Sequence, residues 1–394
     1  MNTSSNAFEV IMAPVTEEVF FGDYWEQQSL HLSRNDESRF SGLIDTTSIE
    51  QVLASGNLEF PRVQMTHNNR DSDEPLPVYY DAENKILANR VAENYKNGAT
   101  LILTEAHKHF KELSALSQRL SAQLSLNCRA NAYLTPPGQQ GFAAHYDTHD
   151  VVVLQVSGTK RFDFYKGGTV LPFNNSTFDP ETSEVGEQYD SITLEPGDSL
   201  YIPRGIVHNA VADESESSLH ITLGIYATTV ADLLIESIMA AAEQQPELRN
   251  SVPYDNFKNG MISDQDRTQF ASLITAATTT ENIQSALSTI LDTKTLELPS
   301  ARTGLLSGEN STRLTAASKI SLQRDTVCSW ELNSKLLKLR IPGQVIELDE
   351  HYRDALELLL GGKPAQVDEL PGLAGNEAIA LAQQLADLEI VAVL

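Results

Sequence analysis

The chain has 394 residues, of which 54 are acidic and 28 are basic, so its formal net charge at neutral pH is −26. A surface this acidic repels nucleic-acid phosphates and attracts cationic proteins, which argues against direct DNA binding and favours a basic protein partner. The same charge would also simply keep the protein in solution. Two distant cysteines, no signal-peptide pattern and no membrane-length apolar run predict a cytoplasmic protein without a membrane segment.

Residues 1–95 mix short helices with extended segments. Residues 14–34 predict a helix followed by a strand, with Thr16 as the helix N-cap. Residues 68–77, NNRDSDEPLP, predict a polar loop. We therefore place a first segment at 1–95, ahead of the region with the strongest strand signals.

Residues 96–228 predict a β-rich core. The strand ATLILTE is followed by a helix over 108–125, whose apolar residues recur at helical spacing. Short runs rich in Val, Ile, Tyr and Phe then follow one another to about residue 227, separated by Gly, Pro and Asp turns. This pattern is typical of an antiparallel sandwich or barrel.

The rest of the chain predicts two further segments. Residues 229–300 carry helical periodicity and predict a helical bundle or an oligomer interface. Residues 301–394 predict two strands, SWELNSKLLKLRI and QVIELD, and two helices, the second running into a short strand, which would suit a winged-helix-like fold. This last segment has nine basic and thirteen acidic residues, which argues against a DNA-binding role.

Four side chains that can bind a metal lie within six positions: His145, Asp147, His149 and Asp150. On a strand, residues two apart point to the same face, so His145 and Asp147 could reach one ion, and alternation alone does not separate His149 from them. A lone His-x-Asp is a weak signal, because most such triplets bind nothing.

A second element strengthens the metal hypothesis. Residues 197–208 read G-x5-P-x-G-x2-H, the spacing of the second metal motif of cupin barrels, and end at His208. Two histidines and one carboxylate on one side of an ion leave the other side open, as in non-haem Fe(II) oxygenases. A structural zinc site would have a closed shell of four ligands and usually cysteine, and neither cysteine lies near these motifs. With His208 as third ligand, we expect His149 to hydrogen-bond Asp147 and Asp150 to face away.

Residues 131–165 and 195–208 resemble the JmjC-type ribosomal oxygenases of the cupin superfamily. The resemblance extends to the entry segment FFGDYWEQQSLHLSR and to the order of the segments. It implies a mixed α+β fold, in which a double-stranded β-helix (cupin/JmjC) barrel precedes a helical dimerisation segment and a C-terminal winged-helix-like domain. It also implies a homodimer.

The resemblance further implies roles for individual residues. His145, Asp147 and His208 would bind Fe(II), and Lys160 would pair with the distal carboxylate of the co-substrate 2-oxoglutarate. From the sequence alone, Lys160 could equally lie in solvent at a hairpin tip; facing inward, it would need an anion. The resemblance also implies that Asn131 and Tyr133 contact the co-substrate. His220 would line the same pocket, although it could also be an ordinary core histidine.

The implied activity is Fe(II)-, O2- and 2-oxoglutarate-dependent hydroxylation of a protein side chain. The side chain we expect is an arginine or histidine of a ribosomal protein. A lysine at this position, as in Lys160, is typical of the histidine-directed members of the family. Because this residue would contact the co-substrate rather than the substrate, it does not decide which side chain is hydroxylated. Two alternatives remain: a cupin oxygenase acting on a peptide or small molecule, and a non-catalytic cupin that binds a partner. The latter would be expected to lose a metal ligand or the lysine, and this chain keeps them all.

Overall fold

The computed structural model describes residues 6–67, 78–176, 178, 185–298, 313–323, 326, 328–333 and 336–394. The loop predicted at 68–77 therefore lies outside the described residues. The chain divides into two compact units, Met1–Ala227 and Thr228–Leu394. No helix among the described residues is long and apolar enough to cross a membrane.

The described part of the first unit contains strands arranged in two antiparallel sheets. The strands are β1 Leu30–Leu32, β2 Val63–Thr66, β3 Thr100–Leu103, β4 Asn127–Thr135, β5 Asp150–Ser157, β6 Lys160–Gly167, β7 Val185–Leu194, β8 Ser199–Ile202, β9 Val207–Ala212 and β10 Ser218–Tyr226. The larger sheet has the order β1-β8-β5-β10-β4-β3-β2, and the smaller one has the order β7-β6-β9. The predicted antiparallel barrel of short strands is confirmed, with a mixed α/β composition.

Helices cover the larger sheet of this unit. They are α1 Ala7–Met12, α2 Glu17–Val19, α3 Thr46–Ala54, α4 Ala88–Lys96 and α5 Lys111–Leu124. The predicted helix-then-strand entry is confirmed: the Thr16 side chain caps α2, a π-helical turn over Phe20–Tyr24 follows, and β1 comes next. The predicted helix over 108–125 is α5, which buries Leu113, Leu116 and Leu120.

Strand β5 is buried on both faces, which explains why its sequence VVVLQV is apolar except for Gln155, whose side-chain amide nitrogen is hydrogen-bonded. Val152 and Leu154 belong to the large core beneath the helices. Val151 and Val153 point the opposite way and pack with Phe162 of the smaller sheet. Alternating side chains of one central strand therefore fill both the outer core and the interior of the barrel. This strand directly follows the segment that carries His145 and Asp147.

The second unit begins with helices and ends with small sheets and two further helices. The helices are α6 Val230–Gln244, α7 Tyr254–Asn259, α8 Asp264–Ala277, α9 Thr280–Glu297, α10 Arg353–Leu360 and α11 Asn376–Asp387. The strands are β11 Lys319–Leu322, β12 Ser329–Asn333, β13 Leu336–Ile341, β14 Gln344–Asp349, β15 Ala365–Gln366 and β16 Val391–Val393. In the described residues they pair in the orders β12-β13-β14 and β15-β11-β16.

One strand prediction in this unit was wrong. The segment SWELNSKLLKLRI was expected to form one strand, but it contains two, β12 and β13, which pair antiparallel with Trp330 opposite Leu339. The polar stretch Asn-Ser-Lys at 333–335 separates the apolar runs of the two strands and was read as part of a single strand. The remaining predictions for this region, a β13–β14 hairpin around Pro-Gly and a helix running into a terminal strand, are confirmed.

Candidate functional site

The segment with His145 and Asp147 is not a strand, although the sequence analysis treated it as one. It belongs to the connection between β4 and β5, and β5 begins only at Asp150. His145 forms an isolated bridge with His208, in which each backbone N–H donates to the other's carbonyl, at 3.0 and 2.8 Å. The backbone here crosses towards the smaller sheet, so it cannot stay in register with the larger one.

His208 lies where the second motif placed it, as the second residue of β9 after the Pro-Arg-Gly turn. Gly205 in that turn has φ +88°, in the left-handed region that favours glycine. A Cβ atom there would lie 1.8 Å from the carbonyl oxygen of Thr169. The Gly205 N–H donates to the Asp147 carbonyl at 2.9 Å. The turn is therefore attached directly to the segment that carries the other two candidate ligands.

The donor atoms of His145, Asp147 and His208 converge. One ligand atom from each residue lies within 4.8 Å of the others. The Asp147 carboxylate oxygens are 4.0 Å from Nε2 of His145 and 3.7 Å from Nε2 of His208, which is too long for a hydrogen bond. The three groups face one another without bonding directly, and the space between them suits an ion.

Hydrogen bonds orient both imidazole rings for metal binding. Nδ1 of His145 lies 2.8 Å from the Ala143 carbonyl oxygen, and Nδ1 of His208 lies 3.0 Å from that of Ile206. A carbonyl only accepts, so Nδ1 carries the proton in both rings and each Nε2 keeps its lone pair for the centre. Backbone bonds of this kind fix the ring and tautomer of metal-bound histidines.

The charge state of the cluster fits a divalent metal. Burial, and then the neighbouring His145, lowers the pKa of His208, although Asp147 opposes this, so the ring is neutral at physiological pH. Burial would raise the pKa of Asp147, but the nearby His145, His208 and His149 outweigh it and lower the pKa of that carboxyl. Within the described residues no fourth His, Cys, Asp or Glu joins the group. Two nitrogens and one carboxylate with open positions match the donor set of non-haem iron sites.

These three residues line one end of a cavity of about 370 Å³ between the two sheets. The same cavity is lined by the other residues singled out from the sequence: Lys160, Asn131, Tyr133 and His220. The barrel thus brings all seven to one pocket, although they come from five separate segments of the chain.

Lys160 faces inward and is 2% exposed. Its Nζ donates to Oγ1 of Thr135 at 2.8 Å and lies 3.5 Å from Nδ1 of His220. No carboxylate among the described residues pairs with it, and burial lowers the pKa of Lys160 to about 7. Arg161 points to the other face and pairs with Asp163. A buried amine without an anion is a ready partner for a ligand carboxylate.

Asn131, Tyr133 and His220 form the wall beside Lys160. Oδ1 of Asn131 accepts the backbone N–H of Glu105 at 2.9 Å. The Tyr133 and His220 rings stack with centroids 4.7 Å apart, and burial followed by the charge of Lys160 lowers the pKa of His220 well below its usual value. His220 is therefore neutral and can accept a hydrogen bond from the lysine.

The sequence reasoning missed Thr135. This residue is fully buried, and its hydroxyl accepts the hydrogen bond from Lys160. Asn131, Tyr133 and Thr135 are spaced two apart on β4, so strand alternation places all three on the face towards the cavity. The sequence contained this signal: continuing the alternation from Asn131 and Tyr133 by two more residues leads to Thr135.

The expectation for His149 was wrong, and the one for Asp150 was confirmed. The His149 ring stacks on Tyr226 at 4.7 Å, and no hydrogen bond joins it to Asp147 in the described part of the chain. Gly224 makes room for the ring, since a Cβ there would lie 2.6 Å from it. Asp150 points away from the cavity and pairs with Arg204.

Comparison with known proteins agrees with this geometry. Residues 105–233 match the family model described as "JmjC domain". This part of the chain is similar to a JmjC domain. It includes both metal motifs, Lys160 and strands β4 to β10.

Two relatives extend the match beyond the domain. The chain is 32% identical over 255 residues to "Bifunctional lysine-specific demethylase and histidyl-hydroxylase NO66" of Drosophila persimilis, covering 63% of this chain and 36% of that protein. The protein of the same name in Dictyostelium discoideum is 31% identical over 254 residues, covering 62% of this chain and 48% of its own length. The chain thus spans less than half the length of these relatives.

Solved structures share the fold over almost the whole chain. The ribosomal oxygenase YcfD of Escherichia coli superposes with a TM-score of 0.54 at 16% identity, covering 96% of this chain and 98% of that one. A structure of YcfD in complex with cobalt and 2-oxoglutarate gives the same TM-score and identity. At this identity the match shows the JmjC cupin fold alone.

Proposed function

We propose that this protein is an Fe(II)- and 2-oxoglutarate-dependent oxygenase that hydroxylates a protein side chain. One observation carries the proposal: an open three-donor site and a buried, anion-free lysine line the same cavity. The names of the relatives, and the YcfD complex with cobalt and 2-oxoglutarate, support it. His145, Asp147 and His208 would hold the iron, and Lys160 would take the distal carboxylate of the co-substrate.

The residues of the chain supply positioning and charge. An iron ion held by the three donors would supply the redox chemistry that divides dioxygen between 2-oxoglutarate and the substrate. The carbonyls of Ala143 and Ile206 keep both Nε2 atoms turned to the ion. Thr135 and His220 hold the Lys160 amine in place, and Tyr133 stacks on His220 beside it. Apolar residues of β5 and β6 line the barrel interior, and a low-polarity surrounding strengthens the attraction between Lys160 and a carboxylate.

A basic ribosomal protein is the substrate class we propose. The YcfD structures are those of a ribosomal oxygenase, and relatives 31–32% identical carry the name histidyl-hydroxylase, which favours histidine over arginine as the target. A partner with excess Lys and Arg is also complementary to a chain of net charge −26 and would be steered towards it.

We also propose roles for the four segments. Residues 1–95 and 96–228 would together form the catalytic domain, 229–300 a homodimerisation segment, and 301–394 a winged-helix-like domain that does not bind DNA, in a cytoplasmic protein. Dimerisation is supported by large apolar side chains left exposed in this unit: Ile235 and Met239 are each 61% exposed, and Phe257 is 73% exposed. Light scattering would give the mass of a dimer if this is correct.

Oxygen-dependent turnover tests the proposed activity. Protein loaded with Fe(II) without oxygen should, once oxygen is admitted, convert 2-oxoglutarate to succinate, and His145→Ala should abolish the conversion. Turnover that is unaffected by His145→Ala would contradict the assignment of the metal site. A small molecule or peptide as true substrate would show as turnover that no ribosomal protein stimulates, whereas a non-catalytic binding protein would give none.

A further inference from the structure

A ring of mostly buried polar groups lies outside the lining of the cavity. The Arg204 guanidinium donates to Oδ2 of Asp150 at 2.7 Å and also to the Glu26 carboxylate. The Tyr201 hydroxyl donates to Oδ1 of Asp150 at 2.8 Å and accepts the backbone N–H of Glu26 at 2.9 Å. Asp150 is 0% and Arg204 7% exposed, whereas the Glu26 side chain is 29% exposed, so the ion pair is buried and the ring reaches solvent at Glu26.

The ring connects the two segments that carry the candidate ligands. Asp150 lies three residues after Asp147, and Arg204 lies four residues before His208. The backbone N–H of Arg204 also lies 3.4 Å from Oδ1 of Asp150, and the adjacent Gly205 N–H donates to the Asp147 carbonyl. Moving Arg204 relative to Asp150 would therefore move His208 relative to Asp147.

Glu26 and Tyr201 attach this connection to the body of the domain. The Tyr201 ring packs between Phe20 and Trp25 of the entry segment, at 4.9 and 5.8 Å between centroids. Glu26 follows Trp25 directly. The entry segment thus holds Tyr201 and Glu26 in place. Without it, the two segments that carry the candidate ligands could shift relative to each other.

We propose that the Asp150–Arg204 ion pair, held by Tyr201 and Glu26, is a positioning device that keeps Asp147 and His208 at one metal ion without touching it. The inference rests on the proposed function. A buried ion pair gives little net stability compared with apolar residues of similar size, so a role in fixing geometry accounts for its presence better than a role in stability. Groups one step removed from a metal typically change its affinity about 10- to 100-fold when they are lost.

The test measures binding of cobalt(II) alone, by its visible absorption and by competition with a chelator. The double variant Asp150→Asn/Arg204→Met leaves no unpaired charge at the two positions, and the amide introduced at position 150 can still accept the Tyr201 hydroxyl. We expect its cobalt affinity to fall about 10- to 100-fold, with an altered absorption spectrum. Arg204→Lys, which keeps the charge, should recover part of the affinity.

A matched control separates positioning from general destabilisation. Arg340 is 3% exposed and pairs in the second unit with Asp292 and Glu331, whose side chains are 20% and 21% exposed, so Arg340→Met removes a buried arginine and its ion pairs far from the candidate ligands in sequence. It should lower the melting temperature without changing cobalt affinity or spectrum. If the double variant fails to fold, Tyr201→Phe, which removes a single hydroxyl from the ring, must still weaken cobalt binding several-fold.

The outcomes distinguish the two claims. Wild-type protein that binds no cobalt at His145 would overturn the proposed metal site, and the positioning role with it. Wild-type binding that is lost in His145→Ala but unchanged in affinity and spectrum in the double variant, Arg204→Lys and Tyr201→Phe would leave the metal site standing and overturn the positioning role.

Discussion

At the scale of single residues, the environment of Lys160 is the most informative feature of the pocket. A solvent-exposed lysine has a pKa of about 10.4, but burial lowers the pKa of Lys160 to about 7. Its contacts are a hydroxyl and a neutral imidazole, neither of which supplies negative charge. Near neutral pH the empty pocket therefore holds a mixture of ammonium and neutral amine.

Co-substrate binding should consequently depend on pH. A dicarboxylate favours the ammonium form and raises the pKa of Lys160. Below pH 7 the amine is already protonated, so affinity is constant there. Above pH 7 binding must take up a proton, and affinity should fall by about tenfold per pH unit. Calorimetry of 2-oxoglutarate binding to zinc-loaded protein, in buffers of different ionisation enthalpy, measures both the affinity and the proton uptake.

Two variants of Lys160 serve as controls. Lys160→Arg keeps a permanent charge, so the pH dependence above 7 and the proton uptake should both disappear. Lys160→Ala should weaken 2-oxoglutarate binding at every pH while leaving metal affinity nearly intact. Equal loss of metal and co-substrate affinity in Lys160→Ala would contradict its assignment.

Residue identities could be predicted from the sequence where a spacing or a family motif names them, as for His208 and Lys160. Contacts made across the barrel could not. The stacking of His149 on Tyr226 and the bond from Lys160 to Thr135 join residues 77 and 25 positions apart, by their numbers in the chain. They depend on which strands pair in the sheet, and that is decided by the packing of the whole barrel.

At the scale of elements, the turn before β9 delivers His208 to the site. A side chain at Gly205 would meet both a left-handed backbone and the Thr169 carbonyl. Gly205→Ala should therefore lower the free energy of unfolding by more than about 1 kcal/mol and weaken metal binding, because the turn must shift. Denaturant unfolding and cobalt titration would measure the two effects.

Gly260→Ala is the matched control for that change. Gly260 also has a positive φ, +64°, but a Cβ there has no neighbour within 4 Å. The control should show the backbone cost alone and leave metal affinity unchanged. A Gly205→Ala protein no less stable than Gly260→Ala, with unchanged metal binding, would show that the turn tolerates movement.

The prediction of strands succeeded where turn residues mark both ends of an apolar run. It was wrong where such residues do not mark the ends. Gly, Pro and Asp mark the ends of most strands of the barrel, so their order could be read from the sequence. The segment around His145 resembles a strand in composition, but it crosses between sheets and pairs only through an isolated bridge. The local sequence pattern cannot predict such a crossing, because the bridge partner, His208, lies 63 positions away in the chain.

At the scale of the whole molecule, the net charge favours a cationic partner. The chain carries a net charge of −26, and a cationic substrate would associate faster at low salt. Composition predicted this preference but not the identity of the partner, because net charge describes a surface rather than a site.

Mass spectrometry of ribosomal proteins tests the central claim most directly. Proteins from cells that contain the gene, lack it, or carry only the His145→Ala form would be compared. We predict that one basic ribosomal protein gains the mass of one oxygen atom, on a histidine or an arginine, only in cells with the unmodified gene. The claim is contradicted if the ribosomal proteins of all three strains are identical in mass, or if the His145→Ala form restores the modification.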